Sequence, residues 1–284
     1  MRSLIVLKLW VRDVLSAAWW LVRRFLGKPV PEGVRILVYH AIAELPPEQD
    51  RWRMAVPPKL LTAQLRWLQR QGYTFVSLDE VLEMVRGLRA VPEKAVAVTF
   101  DDGFQDTWSS AYPILQKAGV PATAFIVPSY VETQRPFPWL EHPDRFNRPL
   151  TWEELRRFSG DRLMTVGAHG WTHRCLSELA TEDQSHEVQQ SKVVLEEGLG
   201  RPVKWFAYPY GFRGSFSETT VACLRQHGYE AACANVMGIN RQGDSLWELK
   251  RTRIGWEDSL WRFRLKMAGA YDWIDQWPAR RIRP

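Results

Sequence analysis

From residue 34 onward, short apolar runs alternate with helical patterns, and this alternation limits the possible folds more than any other feature of the chain. The apolar runs predict seven strands: Val34–Tyr39, Tyr73–Leu78, Ala95–Phe100, Ala122–Val127, Leu163–Gly167, Val203–Ala207 and Glu230–Ala234. The segments between and after them predict seven helices: Pro58–Gln71, Leu78–Arg86, Ser109–Lys117, Trp152–Phe158, Glu182–Glu197, Glu218–His227 and Ser259–Met267. Strands that alternate with helices are typical of a parallel sheet or barrel covered by helices. The stretch from Pro128 to Leu150 predicts a long loop near one rim.

The composition is that of a globular protein. Of the 284 residues, 45% are hydrophobic, which is enough to offset the ordering entropy of a large core and excludes a disordered or collagen-like chain. One domain of about 250 residues with an appendage fits this length as well as two small domains do, because barrel folds reach that size. The three cysteines show no paired spacing, so a reducing compartment or buried thiols are favoured over a disulfide framework.

The first 26 residues have a pattern of their own. Apolar side chains recur at three- and four-residue spacing from Leu7 to Phe25, which predicts an amphipathic helix. Charged residues interrupt the segment, so it is unsuited to span a bilayer, and Lys8, Arg12 and Asp13 also argue against a secretory signal. A basic helix that bears tryptophans is typical of segments lying in a membrane interface. The alternative is a helix that packs on the domain or on a second subunit.

These patterns divide the chain into three parts. Residues 1–30 are predicted to form the amphipathic, membrane-interfacial helix and a linker, residues 31–268 the β/α domain, and residues 269–284 a tail rich in tryptophan and arginine. A net charge of +6 favours an acidic partner such as anionic lipid, a phosphate-bearing saccharide or nucleic acid. No nucleic-acid partner is expected, because the basic residues are dispersed and no recognition motif is present.

Side chains suited to metal binding and proton transfer follow four of the predicted strands. In chain order they are His40, then Asp101-Asp102-Gly103, then His169 with His173, and then Pro209-Tyr210-Gly211. The carboxyl ends of strands in a β/α fold meet at one face, where the chemistry gathers. Two imidazoles and one carboxylate are a common catalytic zinc set, and a second carboxylate can accept the proton of a water molecule. Each motif alone is more often a turn or ordinary surface, but together they predict a hydrolytic metal site.

Three of these motifs resemble those of the polysaccharide deacetylases, the carbohydrate esterase group with the NodB-homology domain. The first reads TFDDG at Thr99–Gly103, the second GAHGWTH at Gly167–His173, and the third FAYPYG at Phe206–Gly211. The resemblance extends from about Arg35 to Met267. It implies a distorted (β/α)7 barrel, here with an N-terminal amphipathic helix, and a Zn²⁺ or other divalent transition-metal cofactor.

The resemblance also implies roles for individual residues. Asp101 corresponds to the general base, and Asp102, His169 and His173 correspond to the metal ligands. The backbone N–H of Tyr210 corresponds to an oxyanion donor.

Two departures from the family pattern point to a subgroup. Ala207 stands where many members carry an arginine that orients the base, and no histidine follows His227. The motifs are more similar to those of bacterial exopolysaccharide de-N-acetylases of the poly-N-acetylglucosamine type. By that resemblance His40 supplies the catalytic acid. Arg251 is the candidate for the displaced arginine, with Arg253 as the alternative.

The resemblance implies a hydrolase that removes N-acetyl groups from N-acetylhexosamine residues of a bacterial polysaccharide or lipid-linked saccharide. The alternatives are an O-deacetylase, a peptidoglycan deacetylase or an amino-sugar deformylase on the same metal site, or an inactive glycan-binding module. Trp139, Trp171 and Tyr210 are expected near the rim, where their rings would stack on sugars. The basic helix favours peripheral contact with anionic lipid at the cytoplasmic face of a bacterial inner membrane. An anchored enzyme facing the periplasm is the alternative, and the oligomeric state stays open.

Overall fold

The structure is a computed structural model that describes residues 12–18, 20–22, 25, 32–45, 50, 52–139 and 148–273. The strands are β1 (Val34–Tyr39), β2 (Thr74–Phe75), β3 (Ala95–Phe100), β4 (Ala122–Ile126), β5 (Met164–Ala168), β6 (Trp205–Ala207), β7 (Ala231–Cys233) and β8 (Arg251–Arg253). The helices after β1 are α1 (Pro58–Arg70), α2 (Leu78–Val85), α3 (Tyr112–Ala118), α4 (Pro128–Thr133), α5 (Trp152–Ser159), α6 (Thr181–Leu199), α7 (Glu218–Gln226) and α8 (Leu260–Met267). A π-helical turn at Thr107–Ala111 precedes α3, and a 3-10 turn spans Leu176–Glu178.

The strands form a nearly closed parallel barrel. Their order is β7-β6-β5-β4-β3-β1-β8, with β2 paired to β3 off this path. The ring is completed where the chain around β7 meets the chain around β8. There the Ala234 N–H donates to the Leu249 carbonyl over 2.9 Å, and the Arg251 N–H donates to the Val236 carbonyl over 3.0 Å. This architecture confirms the predicted distorted (β/α)7 barrel.

The apolar runs explain why the strands are buried on both faces. Every residue of β1, β3 and β4 is buried. Alternate residues enter two different apolar clusters, with Ile36, Ala97 and Phe125 in one and Leu37, Val98 and Ala124 in the other. Successive residues of a strand point to opposite faces of the sheet. A strand that is packed on both faces is therefore apolar throughout, and it appears in the sequence as a continuous apolar run.

Two predicted segments and one unpredicted strand differ between sequence and structure for local reasons. The strand predicted at Tyr73–Leu78 is reduced to β2, because Ser77 forms a capping box with Glu80 and starts α2. The loop predicted from Pro128 begins as α4 instead, with proline in its first turn, where its fixed φ suits a helix. Residues 140–147 of that loop lie outside the described residues. Strand β8 was not predicted, because its sequence, Arg-Thr-Arg, contains no apolar residue.

The two ends of the described chain meet on one side of the barrel. Residues 12–18, 20–22 and 25 are helical and pack beside α8 and the turn that follows it. In that turn Asp272, assigned by the sequence pattern to the carboxyl-terminal tail, forms a bidentate ion pair with Arg35 of β1 at 2.9 and 2.8 Å. In the predicted segments 1–30 and 269–284, residues 1–11, 19, 23, 24, 26–30 and 274–284 lie outside the described part. None of the described helices is both long and apolar enough to cross a lipid bilayer.

Candidate active site

The carboxyl ends of the strands bring most of the predicted site residues to one pocket of about 310 Å³. His40 follows β1, Asp102 follows β3, His169 follows β5, and Tyr210 lies just after β6. His173, on the loop after β5, completes this group, and Trp139 also lines the pocket. Four residues not selected from the sequence line it as well: Trp52, Met54, Phe212 and Asn235. Arg253, the predicted alternative to Arg251, also lines it. The site is therefore built from many separate segments of the barrel rim.

Asp102, His169 and His173 form a compact cluster of potential metal ligands. The Oδ1 atom of Asp102 lies 3.5 Å from the Nε2 atom of each histidine, and the ligand atoms all lie within 4.8 Å of one another. The Nδ1 atom of His169 lies 2.8 Å from the Ala207 carbonyl. When Nδ1 donates this hydrogen bond, the lone pair of Nε2 is directed at the cluster. This donor set fits a divalent transition metal with an open coordination position.

The backbone at these ligands is unusual. Asp102 and His173 have φ values of 74° and 64°, in the left-handed region that non-glycine residues seldom occupy. Such a conformation costs about 1–3 kcal/mol per residue and is retained where the surrounding structure enforces it. Both side chains lie against His169: Oδ1 of Asp102 is 3.5 Å from its Nε2, and the ring of His173 is 4.9 Å from its ring, between centroids.

The environment sets the protonation states of two of the ligands. Burial lowers the pKa of His173 to about 4, so its imidazole is neutral at neutral pH. Burial acts to raise the pKa of Asp102, but the hydrogen bond from His169 and the nearby His173 and His40 outweigh it and lower this pKa to about 2. A carboxylate and a neutral imidazole are the forms in which these side chains bind a metal.

Asp101 is held by a buried arginine. Both oxygens of Asp101 accept hydrogen bonds from the guanidinium of Arg251 over 2.7 Å, and neither side chain is exposed. Burial raises the pKa of Asp101, but the charge of Arg251 outweighs it and the net shift is downward. Of the two candidate arginines, Arg251 thus contacts Asp101. Arg253 instead donates to the carbonyls of Trp52 and Arg53 at 2.6 and 2.9 Å.

Asn235 links this ion pair to the third motif. Its Oδ1 accepts a hydrogen bond from Arg251 over 2.9 Å, and its Nδ2 donates to the Tyr210 carbonyl over 2.9 Å. Asn235 was not singled out from the sequence, although it follows the strand predicted at Glu230–Ala234. The rule that strand ends carry the chemistry would have found it.

His40 and Tyr210 border the pocket on either side of the metal-ligand cluster. His40 is 8% exposed, and its Nδ1 has no hydrogen-bond partner among the described residues. Burial lowers the pKa of His40, against the opposing effect of Asp102 and Asp101. Tyr210 has a φ of 64°, and its ring centroid lies 5.0 Å from that of His173.

Aromatic side chains pack against His173, one of the potential metal ligands. The ring of Trp139 lies 4.3 Å from that of His173, between centroids, and the indole N–H of Trp52 donates to the Trp139 carbonyl over 2.9 Å. Trp171, also expected at the rim, is partly buried and is not among the residues that line the pocket. Trp152, at the start of α5, packs against the main apolar cluster.

Glu187 of α6 supports the loop between the two histidine ligands. It is 3% exposed, and its Oε2 accepts a hydrogen bond from the Thr172 N–H over 2.9 Å, while its Oε1 accepts one from the Thr172 hydroxyl. The sequence pattern gave no sign of this role, because Glu187 lies in a polar helix fifteen residues after Thr172. A buried carboxylate with two donors from one loop residue fixes the path of that loop.

We expect Glu187→Ala to weaken metal binding by about 10- to 100-fold, the range seen when groups that orient metal ligands are removed. The loop would lose two hydrogen bonds, and the relative positions of His169 and His173 would relax. Titration of the apo-protein with Zn²⁺ measures this effect directly. Glu182→Ala, at an exposed position on the same helix, is the matched control. Unchanged affinity in Glu187→Ala would contradict the supporting role.

A second buried carboxylate near the first motif makes a prediction about stability. Asp106 is 1% exposed, and neither oxygen has a hydrogen-bond partner of normal geometry among the described residues. Burial raises its pKa to about 8, against the opposing effect of the Ile42 backbone. Between about pH 4 and 8 the unfolded chain releases this proton while the folded chain keeps it, so stability falls as the pH rises.

We therefore expect Asp106→Asn to become more stable relative to the wild type as the pH increases from about 4 to 8. The difference in the free energy of unfolding should grow by at most about 1.4 kcal/mol per pH unit. Urea unfolding of both proteins across this range measures it. A difference that does not vary with pH would show that Asp106 ionises normally.

Comparisons with known proteins agree with the fold and the motifs. The family model described as polysaccharide deacetylase matches residues 89–232, half of the chain. The poly-β-1,6-N-acetyl-D-glucosamine N-deacetylase of Escherichia coli K12 is 35% identical over 124 residues, which are 43% of this chain and 18% of that enzyme. The chain thus spans about a fifth of the length of that relative.

Two solved structures match most of the chain. Streptococcus pyogenes deacetylase PplD, solved in complex with acetate, gives a TM-score of 0.72 at 27% identity and covers 84% of this chain and 99% of its own. IcaB from Ammonifex degensii gives a TM-score of 0.70 at 25% identity and covers 84% and 97%. With the barrel, the three motifs and the family match, the chain belongs to the polysaccharide deacetylase family of hydrolases.

Proposed function

We propose that this protein is a metal-dependent hydrolase that removes N-acetyl groups from N-acetylhexosamine residues of a bacterial polysaccharide or lipid-linked saccharide. The observation that carries the proposal is the pairing of Asp101 with Arg251 directly beside the cluster of potential metal ligands. The Oδ2 of Asp101 lies 3.8 Å from the Nε2 of His169. A base in that position is within reach of a water molecule held at the cluster. The Escherichia coli relative is named an N-deacetylase, which supports amide rather than ester hydrolysis.

Asp102, His169 and His173 are the residues that would hold the metal, with Zn²⁺ as the first candidate. When bound there, a divalent ion would acidify a water molecule and polarise the acetamide carbonyl.

Asp101 then acts as the base. Arg251 keeps its carboxylate ionised and fixes its orientation, so Asp101 can accept the proton of the attacking water. Negative charge develops on the acetamide oxygen during the attack. In the proposed mechanism the backbone N–H of Tyr210 donates to that oxygen, a type of contact worth about 3 kcal/mol to the transition state.

His40 acts as the acid on the departing amine. An amide nitrogen leaves poorly as an anion, so a proton must reach it as the bond to carbon breaks. His40 acts from its imidazolium form: it gives its proton to the amine nitrogen as the C–N bond breaks and is left as the neutral imidazole. Burial lowers the pKa of His40, and the nearby carboxylates of Asp102 and Asp101 act against this by favouring the protonated form. Trp139 and Tyr210 offer aromatic faces on which the sugar ring can stack.

Product analysis tests the proposal. The metal-loaded protein is incubated with oligomers of β-1,6-linked N-acetylglucosamine and, separately, with a lipid-linked N-acetylhexosamine. The expected result is release of acetate with one new primary amine for each acetate, detected by amine labelling and mass. Acetate without a new amine would identify an O-deacetylase, and formate would identify a deformylase. Glycan binding without any product would identify a binding module.

A further inference from the structure

The N-terminal helix, residues 12–18, 20–22 and 25, attaches to the barrel through a mixed face, on which Ala17 and Trp20 pack against an apolar cluster beside the polar contacts of Asp13 and Ser16. Asp13 is buried, and its carboxylate accepts hydrogen bonds from Arg262 Nε at 3.0 Å and from the Tyr271 hydroxyl at 2.8 Å. Ser16 is also buried, and its hydroxyl accepts a hydrogen bond from the Trp273 indole over 3.3 Å. An ion pair and hydrogen bonds therefore fix which face of this helix points toward the protein.

The opposite face is apolar and points outward. Five large apolar side chains of this helix are exposed: Val14, Leu15, Leu21, Val22 and Phe25, with Phe25 at 94%. Their spacing places them on one side of a helix, and exposed Ala18 falls on the same side. Helices on soluble proteins usually bury this kind of face. A continuous exposed apolar stripe is typical of an interaction surface.

The charge distribution indicates which kind of partner the exposed apolar face of the helix would bind. Residues 1–31 contain six lysines and arginines and one acidic residue, Asp13, and therefore carry +5 of the net charge of +6. The other 253 residues, with 32 basic and 31 acidic side chains, carry only +1. The one acid in the segment already pairs with Arg262. Apolar side chains combined with concentrated positive charge and tryptophans match an anionic lipid surface.

The helix also lies close to the catalytic pocket. A cavity of about 190 Å³ is lined by Arg12 of the helix and by Arg251, Asn235 and Arg253. Asn235 and Arg253 line the catalytic pocket as well. The helix therefore lies beside a cavity that shares two lining residues with the catalytic pocket.

We infer that the outward apolar face of the N-terminal helix binds the surface of an anionic phospholipid bilayer and holds the catalytic pocket beside it. The part of this inference that concerns catalysis rests on the proposed function. It makes a saccharide carried on a membrane lipid the favoured class of substrate. It also gives a structural basis for the peripheral position on a bacterial inner membrane expected from the sequence.

Vesicle sedimentation of the full-length chain tests the inference. The wild type should bind vesicles of phosphatidylcholine with phosphatidylglycerol, more weakly as salt increases, and should bind phosphatidylcholine alone poorly. The double variant Leu21→Asp/Val22→Asp should bind at least about tenfold less, because its apolar face is interrupted by charge. The matched control is Leu88→Asp/Val193→Asp, which makes the same charge change at exposed apolar residues of other segments and should bind like the wild type.

Three results would overturn the inference: no binding of the wild type to anionic vesicles, equal loss of binding in both double variants, or a wild-type dimer that Leu21→Asp/Val22→Asp dissociates. The last would identify the face as a protein interface.

Circular dichroism and thermal unfolding check that each variant is folded. Both variants should still deacetylate soluble oligosaccharide at the wild-type rate. Loss of vesicle binding with normal turnover of that substrate therefore concerns membrane binding alone. Absence of turnover in the wild type would instead contradict the proposed function.

Discussion

Replacing Asp101 with asparagine is expected to lower kcat/KM for deacetylation by about 10²–10⁴ while bound metal is retained. Asparagine has nearly the same shape as aspartate but cannot accept the proton of the attacking water. The potential metal ligands Asp102, His169 and His173 are unchanged in this variant. Acetate release under initial-rate conditions gives kcat/KM, and elemental analysis of the dialysed protein gives the metal content.

Asp102→Asn is the matched control, because it makes the same substitution at the adjacent carboxylate. This variant should lose metal affinity as well as activity. Asp101→Asn also leaves the buried charge of Arg251 without its anionic partner, and breaking such a pair can cost about 3–5 kcal/mol of stability. Thermal unfolding must therefore show that the variant is folded at the assay temperature. Activity within tenfold of the wild type in a folded variant would exclude Asp101 as the base.

His169→Ala is expected to abolish both stoichiometric metal binding and activity. This histidine is buried, and its Nε2 lies 3.5 Å from Oδ1 of Asp102. Its ring is oriented by the Ala207 carbonyl, so the substitution removes a ligand that is already positioned for the metal. Metal content after dialysis and titration calorimetry with Zn²⁺ measure the loss.

His186→Ala is the matched control, because this histidine lies on helix α6 outside the cluster. It should bind metal and turn over substrate like the wild type. Undiminished metal in His169→Ala would refute the assignment of the cluster as the metal site. Loss of metal in both variants would point to general unfolding, which circular dichroism would reveal.

Much of the barrel could be predicted because its strands are apolar on both faces. The predicted bounds of β1 and β3 agree with the structure residue for residue, since each is a run of six buried residues. Strand β8 could not be found in the same way. Its arginines are stabilised by partners that exist only in the closed barrel, such as Asp101 for Arg251. Local propensity carries no information about such partners.

The residues of the candidate site were also only partly predictable from the sequence. Residues that follow apolar strands were recognised as candidates, and the structure brings all of the predicted metal-ligand residues into one pocket. Glu187 and Trp52 were not recognised, because their contacts to the site come from segments far away in the chain. Asn235 was within reach of the strand-end rule but carried no motif of its own.

The sequence by itself determined the chemical groups of the site, the alternation of strands and helices, and the existence of a basic helix with two unlike faces. Only the tertiary structure decided that Arg251 rather than Arg253 reaches Asp101, because the two arginines lie at different heights along β8. It also decided which face of the N-terminal helix turns outward. Periodicity shows that a helix has an apolar face, but its orientation depends on the partners it meets. Here those partners are Arg262 and Tyr271, which hold Asp13 from nearly 250 residues away in the chain and leave the apolar side chains exposed.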